Sequence, residues 1–205
     1  MSASVEGMGP TLSTTEPHTS TGIDNAKLAI WGFLGSECLF FGSMITTYLL
    51  YRNRVVAGPT PHQIYNIPYT SVSSFVLLMS SLTMVLALAA IQRSDHRGFR
   101  VWILATAFLG MVFIGGQVFE FTSFVDSGLK LSTSTFGSAF FMLTGFHGAH
   151  VTAGILMLMS QFSMDVAGKL GTDGARKVEL IGLYWHFVDI VWIVIFTVVY
   201  LIPTH

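Results

Sequence analysis

The chain has 205 residues, of which 52% are hydrophobic and 10% charged, whereas a soluble domain carries about 25% charged residues; with a mean hydropathy of +0.64, lipid is the expected solvent. A net charge of -1 gives no electrostatic basis for nucleic-acid binding. The one cysteine, Cys38, excludes an intrachain disulfide, an iron–sulfur cluster and a thiolate zinc site, and no dinucleotide-binding, phosphate-loop or nucleophile-elbow glycine pattern occurs.

Residues 1–24 are rich in Ser, Thr, Gly and Pro and read as a mobile tail, taken to residue 27 where the apolar run begins. The tail lacks the basic and apolar regions of a signal peptide, so the first hydrophobic helix is expected to direct insertion and stay in place. Five apolar stretches follow, at about 28–51, 70–91, 101–121, 136–160 and 180–202. Each approximates the ~20 residues that cross a hydrocarbon core of ~30 Å. Backbone in lipid must satisfy its own hydrogen bonds, so these are helices. The expected fold is an all-α integral membrane bundle of five transmembrane helices, one domain over 28–205.

Lys and Arg set the orientation. Lys27, Arg93, Arg97, Arg100, Lys169, Arg176 and Lys177 fall on one side; Arg52, Arg54 and Lys130 fall on the other. The N-terminus is therefore expected in the cytoplasm and the C-terminus outside. Small residues recur in the first span (Gly32, Gly35, Ser36, Gly42, Ser43) and the fourth (Gly145, Gly148, Ala149, Gly154). They predict close helix packing, with small-residue faces left for a partner or lipid.

Ionisable groups inside spans are costly and become functional candidates. They are Glu37 in the first span, Glu120 at the end of the third, His147 and His150 in the fourth, and His186 and Asp189 in the fifth. No Lys or Arg lies deep in a span, so a histidine is the only cation available to these acids. His147 and His150 share a helical face at i, i+3, as do His186 and Asp189. Trp185, Asp189 and Trp192 line one stripe, so the fourth and fifth helices each offer a polar patch, and the two patches are placed to meet.

Three readings stay open on residues alone. Histidines and carboxylates in a helical bundle can ligate iron, manganese or zinc. The paired Glu-x-x-His signature of di-metal bundles is missing, however, and no metal is expected. A proton path is the second reading, although the groups form no evident ladder. The third is helix glue, with interhelical hydrogen bonds of about 0.6–2 kcal/mol each. On that reading Trp185 and Tyr184 fix membrane depth, Glu120 is partly wet near the interface, and the histidines and Asp189 tie helices together. Glu37 is harder to dismiss, because a lone acid near mid-membrane needs a neighbour, a water or a lipid headgroup. Met157, Met159 and Met164 are packing side chains on this reading and not copper ligands.

Particular strings go further. GSECLFFGSMITTYLLYR (35–52), NIPYTSVSSFVLLMSSLTM (66–84), QVFEF (117–121), TFGSAFFMLTGFHGAHVTAG (135–154) and LYWHFVDIVWIVIFTVVYL (183–201) occur in an order and spacing that resembles the cytochrome c oxidase subunit III family of haem–copper terminal oxidases. The longer members of that family have seven spans. This chain resembles the five-helix bacterial form, found in cytochrome c and quinol oxidases alike.

The resemblance implies a plasma-membrane subunit without a catalytic residue or redox centre of its own. Haem and copper would lie in the partner catalytic subunit I, with subunit II and other oxidase subunits in the same complex. It implies bound phospholipid, support of proton uptake and protection of the catalytic subunit during turnover. The acid matching Glu37 is the one that in the family reacts with hydrophobic carbodiimides, as a protonated carboxyl in apolar surroundings does. The matches at His147, His150, His186 and Asp189 favour packing, or a lipid or subunit contact, over a metal site. An accessory subunit of a nitric oxide reductase and an independent transporter are the alternatives.

Overall fold

The computed structural model describes residues 25–51, 67–126, 135–171 and 173–201. Five long helices account for almost all of them: α1 (Asn25–Tyr51), α2 (Ile67–Gln92), α3 (His96–Asp126), α4 (Thr135–Val166) and α5 (Gly174–Phe196). All five are long and apolar enough to cross a membrane, and no strand occurs among the described residues. Arg52, Arg54, Lys130 and the tail before Asn25 lie outside the described residues.

The helices outrun the expected spans because their ends leave the hydrocarbon and find polar partners. The backbone N–H of Gly98 bonds Asp95 Oδ1 at 3.0 Å, an N-terminal cap that starts α3 at His96. Only residues 93–95 separate α2 from α3, with Ser94 at φ 59° and Asp95 N–H bonded to Ala90 O. Stretches 96–100 and 161–166, read as connections from their polarity, are therefore helix. Asp165 draws them together, accepting from Arg100 Nε at 2.6 Å with His96 Nδ1 at 2.6 Å on its other oxygen.

Helices α2, α3, α4 and α5 each pack on the next, and α2 closes on α5. The result is a square of four antiparallel helices with α1 lodged against α4 and α5. Of α1 only Leu34, Phe41 and Tyr48 are buried, and its opposite side is open. Lys27 Nζ ties the start of α1 to Glu179 of α5 at 2.7 Å.

Trp185 sits at the centre of the square, 1% exposed. A Cβ at Gly110 would lie 2.7 Å from its ring, and one at Gly154 would lie 2.8 Å away. These two glycines let α3 and α4 close on α5 across the indole. Past Phe196 the helix widens into a π-helical turn, Thr197–Leu201, whose Val199 and Tyr200 are buried.

Candidate functional site

The polar residues singled out in the spans divide into three hydrogen-bonded groups, with His147 standing apart from them. The first joins α1 to α4. Glu37 Oε2 lies 3.1 Å from His150 Nε2, with both side chains mostly buried at 16% and 18% exposure. The other ring nitrogen, Nδ1, faces the carbonyl of Phe146 at 2.8 Å. A carbonyl only accepts, so Nδ1 carries a hydrogen. The contact between Nε2 and Oε2 then holds one further proton: on oxygen with a neutral imidazole, or on nitrogen with a carboxylate. Aromatic rings enclose it. Phe41 lies edge-on to His150 at 5.0 Å, Phe40 lies 6.3 Å away, and Tyr184 Oη donates to His150 O at 3.0 Å. The neighbour that Glu37 needs is His150.

His147, one turn earlier on α4, is wholly buried and plays a different part. Its ring stacks on Trp192 at 4.9 Å and 26° and meets Phe113 edge-on at 5.9 Å. Neither of its nitrogens has a hydrogen-bond partner among the described residues. The two histidines share a helical face and the Phe41 ring, but only His150 reaches an acid.

The second group joins α5 to α2. Trp185 Nε1 donates to Ser80 Oγ at 3.0 Å, Trp192 Nε1 donates to Ser74 Oγ at 2.8 Å, and Ser81 Oγ donates to Asp189 Oδ2. Ser81 also meets His186 Nδ1 at 3.0 Å. The stripe of Trp185, Asp189 and Trp192 is real and buried; its two indole N–H groups and Asp189 Oδ2 are spent on α2 serines, while Asp189 Oδ1 is buried without a hydrogen-bond partner among the described residues. Among the described residues the side chains of the α4 and α5 patches meet through the stack of His147 on Trp192. Trp185 and Tyr184 do not stand at a lipid interface, which is where their residue types had placed them. Both are buried in the bundle, because Gly110 and Gly154 open room for the indole.

The third group corrects the expectation for Glu120. It is 7% exposed, not partly wet. Helix α3 runs on to Asp126, leaving Glu120 more than a turn inside. Thr70 Oγ1 donates to Glu120 Oε1 at 2.6 Å, and the π-helical turn brings Tyr200 into a side-chain hydrogen bond with the same acid. Nearby, Gln117 Nε2 donates to Thr144 O at 2.9 Å. Thr70, Ser74, Ser80, Ser81, Gln117 and Tyr200 were not singled out from sequence. The signal for the serines was their density in an apolar span, SVSSFVLLMSS. Among the described residues no three His, Cys, Asp or Glu side chains converge on one point as metal ligands would.

These features define a multi-pass, all-α membrane protein with a proton-holding acid–imidazole pair in the flank of its bundle. The family model for cytochrome c oxidase subunit III matches residues 11–203. Cytochrome c oxidase subunit 3 of Bacillus sp. (strain PS3) is 38% identical, covering 86% of each chain. Quinol oxidase subunit 3 of Bacillus subtilis (strain 168) is 37% identical, covering 85% of each. Cytochrome bo(3) ubiquinol oxidase subunit 3 of Pseudomonas aeruginosa is 35% identical over 90% of this chain and 87% of its own. The chain belongs to the cytochrome c oxidase subunit III family.

Proposed function

We propose that the chain is the non-catalytic subunit III of a bacterial proton-pumping cytochrome c oxidase, that it sits directly on subunit I in the plasma membrane, and that it stabilises that subunit and supports its proton uptake. The observation that carries this reading is the contact between Glu37 and His150 in a chain of this family. Haem and copper in the partner subunit supply the reduction of dioxygen. The present chain supplies a carboxyl and an imidazole that exchange one proton at Oε2 and Nε2. The carbonyl of Phe146 fixes the ring orientation, and the rings of Phe40 and Phe41 keep bulk water off the pair. Such a pair can pass a proton to a partner at the α1–α4 flank without a charged group standing alone in lipid.

Phospholipid binding belongs to the same proposal. An open, mostly apolar groove of about 280 Å³ runs between α1 and α4, lined by Ser43, Met44, Thr47, Thr135, Ser138, Ala139 and Met142. Its shape and lining suit an acyl chain. A quinol oxidase is the second reading, supported by relatives of that name with 37% identity.

The test is a tagged pull-down of the chain from native membranes in mild detergent, read by a reduced-minus-oxidised haem spectrum. Haem in stoichiometric amount is expected, and reduction by cytochrome c or by a quinol assigns the donor. In that complex Glu37→Gln retains the haem spectrum, lowers proton uptake and shortens the time to turnover inactivation. A colourless wild-type preparation, or a Glu37→Gln complex with unchanged uptake and lifetime, would refute the proposal.

A further inference from the structure

Tyr184 stands on α5, yet it touches both helices that carry Glu37 and His150. Its hydroxyl donates to the backbone carbonyl of His150 on α4 at 3.0 Å. Its ring stacks on Phe33 of α1, with centroids 6.2 Å apart and planes at 28°. Phe33 precedes Glu37 by four residues, so the two share one face of α1.

The pair needs such a hold because α1 is loosely seated. Its buried residues, Leu34, Phe41 and Tyr48, recur every seven residues, which makes a single narrow stripe. Gly32, Gly35 and Gly42 have nothing within 4 Å of the point where a Cβ would stand, so no close approach of a neighbour locks α1 at these glycines. Lys27 and Glu179 pin only its first turn, and Glu37 lies about three turns further on. A helix held along one stripe can roll about it. With side chains reaching about 5–6 Å from the axis, a roll of about 20° carries the Glu37 carboxyl by roughly 2 Å. That takes a contact of 3.1 Å out of hydrogen-bond range.

On the α4 side the imidazole is aimed by its own helix, with Nδ1 on Phe146 O at 2.8 Å. The ring therefore goes where the α4 backbone goes. Tyr184 holds that backbone at His150 itself, and its ring edge lies against Gly154, where a Cβ would stand 3.4 Å from Cε1. The phenol thus lies along the turn of α4 that begins at His150. One proton is shared between Oε2 and Nε2 only while the two atoms stay at hydrogen-bond distance; further apart, it rests on one of them.

We infer that Tyr184 is a positioning residue for the Glu37–His150 pair. Its ring fixes the roll of α1 through Phe33, its hydroxyl fixes α4 at His150, and together they keep Oε2 and Nε2 in contact. The inference rests on the proposed role of that pair in proton uptake.

The experiment uses the assembled complex and reads the carboxyl C=O stretch of Glu37, isolated as an infrared difference against Glu37→Gln. Tyr184→Phe keeps the ring on Phe33 and releases His150. Phe33→Leu keeps the hydroxyl bond and removes the stack, and since Phe33 is 43% exposed it leaves the core intact. In both variants the Glu37 band is expected to move to higher frequency, or to appear where wild type shows only carboxylate, because a carboxyl in lipid that loses its imidazole is neutral and free. The turnover lifetime of the complex shortens in both by roughly three- to tenfold, the range set by one interhelical hydrogen bond in lipid. Ser74→Ala is the control. It removes the bond from Trp192 to α2, touches neither member of the pair, and leaves the Glu37 band in place. An unchanged band in either assembled variant would overturn the inference, and an equal shift in Ser74→Ala would do so as well by marking a general loosening. If Tyr184→Phe does not assemble, Phe33→Leu decides alone. A Glu37→Gln complex with unchanged uptake and lifetime is a separate result: it removes the proton-uptake reading and the purpose of Tyr184 with it, even where the band shifts.

Discussion

Packing at single residues separates glycines that bear on the fold from those that do not. At Gly154 a methyl group would stand 2.8 Å from two carbons of the Trp185 ring, with Tyr184 at 3.4 Å. The indole is 1% exposed and bonded to Ser80, so it has no room to yield. Gly154→Ala is therefore expected to destabilise the chain by about 1–3 kcal/mol, the usual cost of overpacking a filled core. Gly145, on the same helix, has nothing within 4 Å of the point where a Cβ would stand. There Ala should be neutral or stabilise by up to about 1 kcal/mol through helix propensity alone. Thermal unfolding midpoints of the two variants in one detergent check the pair, and similar losses at both positions would show that Trp185 is not the constraint. Both glycines read alike in sequence, as small residues in an apolar span. What distinguishes them is which side of α4 meets the indole, and that depends on a helix roughly 30 residues further along the chain.

Among the elements, the seam between α2 and α5 is the most polar contact in the bundle. Two indoles and a carboxylate of α5 end on Ser74, Ser80 and Ser81 of α2. In lipid there is no hydrophobic drive to bring helices together, and hydrogen bonds with close packing take its place. Ser80→Ala leaves Trp185 Nε1 buried without an acceptor, a loss of about 1–3 kcal/mol. A double-mutant cycle of Ser80→Ala with Trp185→Phe should give a coupling of about 1 kcal/mol. Zero coupling would assign the seam to shape alone. The five spans themselves were legible in the sequence, since hydropathy and length suffice for them. Helix ends were not: residues 96–100 are polar and read as a connection until Asp165 is seen to hold Arg100 and His96. The π-helical turn was not legible either, because TVVYL is an ordinary apolar string. Glu37 and His150 stood out one by one as costly groups. Their pairing was hidden, because nothing in the order of helices says that α1 lodges against α4.

Viewed whole, the molecule has two chemically different ends, and this yields a prediction about how it lies in the membrane. One end gathers Lys27, Arg93, Arg97, Arg100, Lys169, Arg176 and Lys177, on helix termini and connections that the up-and-down fold brings to the same side. Two of these cations are tied to acids, Lys27 to Glu179 and Arg100 to Asp165. The orientation rule counts Lys and Arg near the ends of spans, not net charge, so these pairs do not weaken the bias. At the other end the hydroxyls and acid of Thr70, Tyr200 and Glu120 are folded inward, and Asp126 is exposed. The end bearing Lys169 is therefore expected in the cytoplasm. With Cys38, the single native and exposed thiol, replaced by Ser, Lys169→Cys should react with a membrane-impermeant maleimide only in inside-out vesicles. Asp126→Cys should react only in intact cells with a permeabilised outer layer. The reverse pattern would invert the molecule and show that these cations do not set its orientation; Glu37 and His150 sit about midway along α1 and α4, so the depth of that pair is the same either way and the labelling tests the cation-bearing end alone.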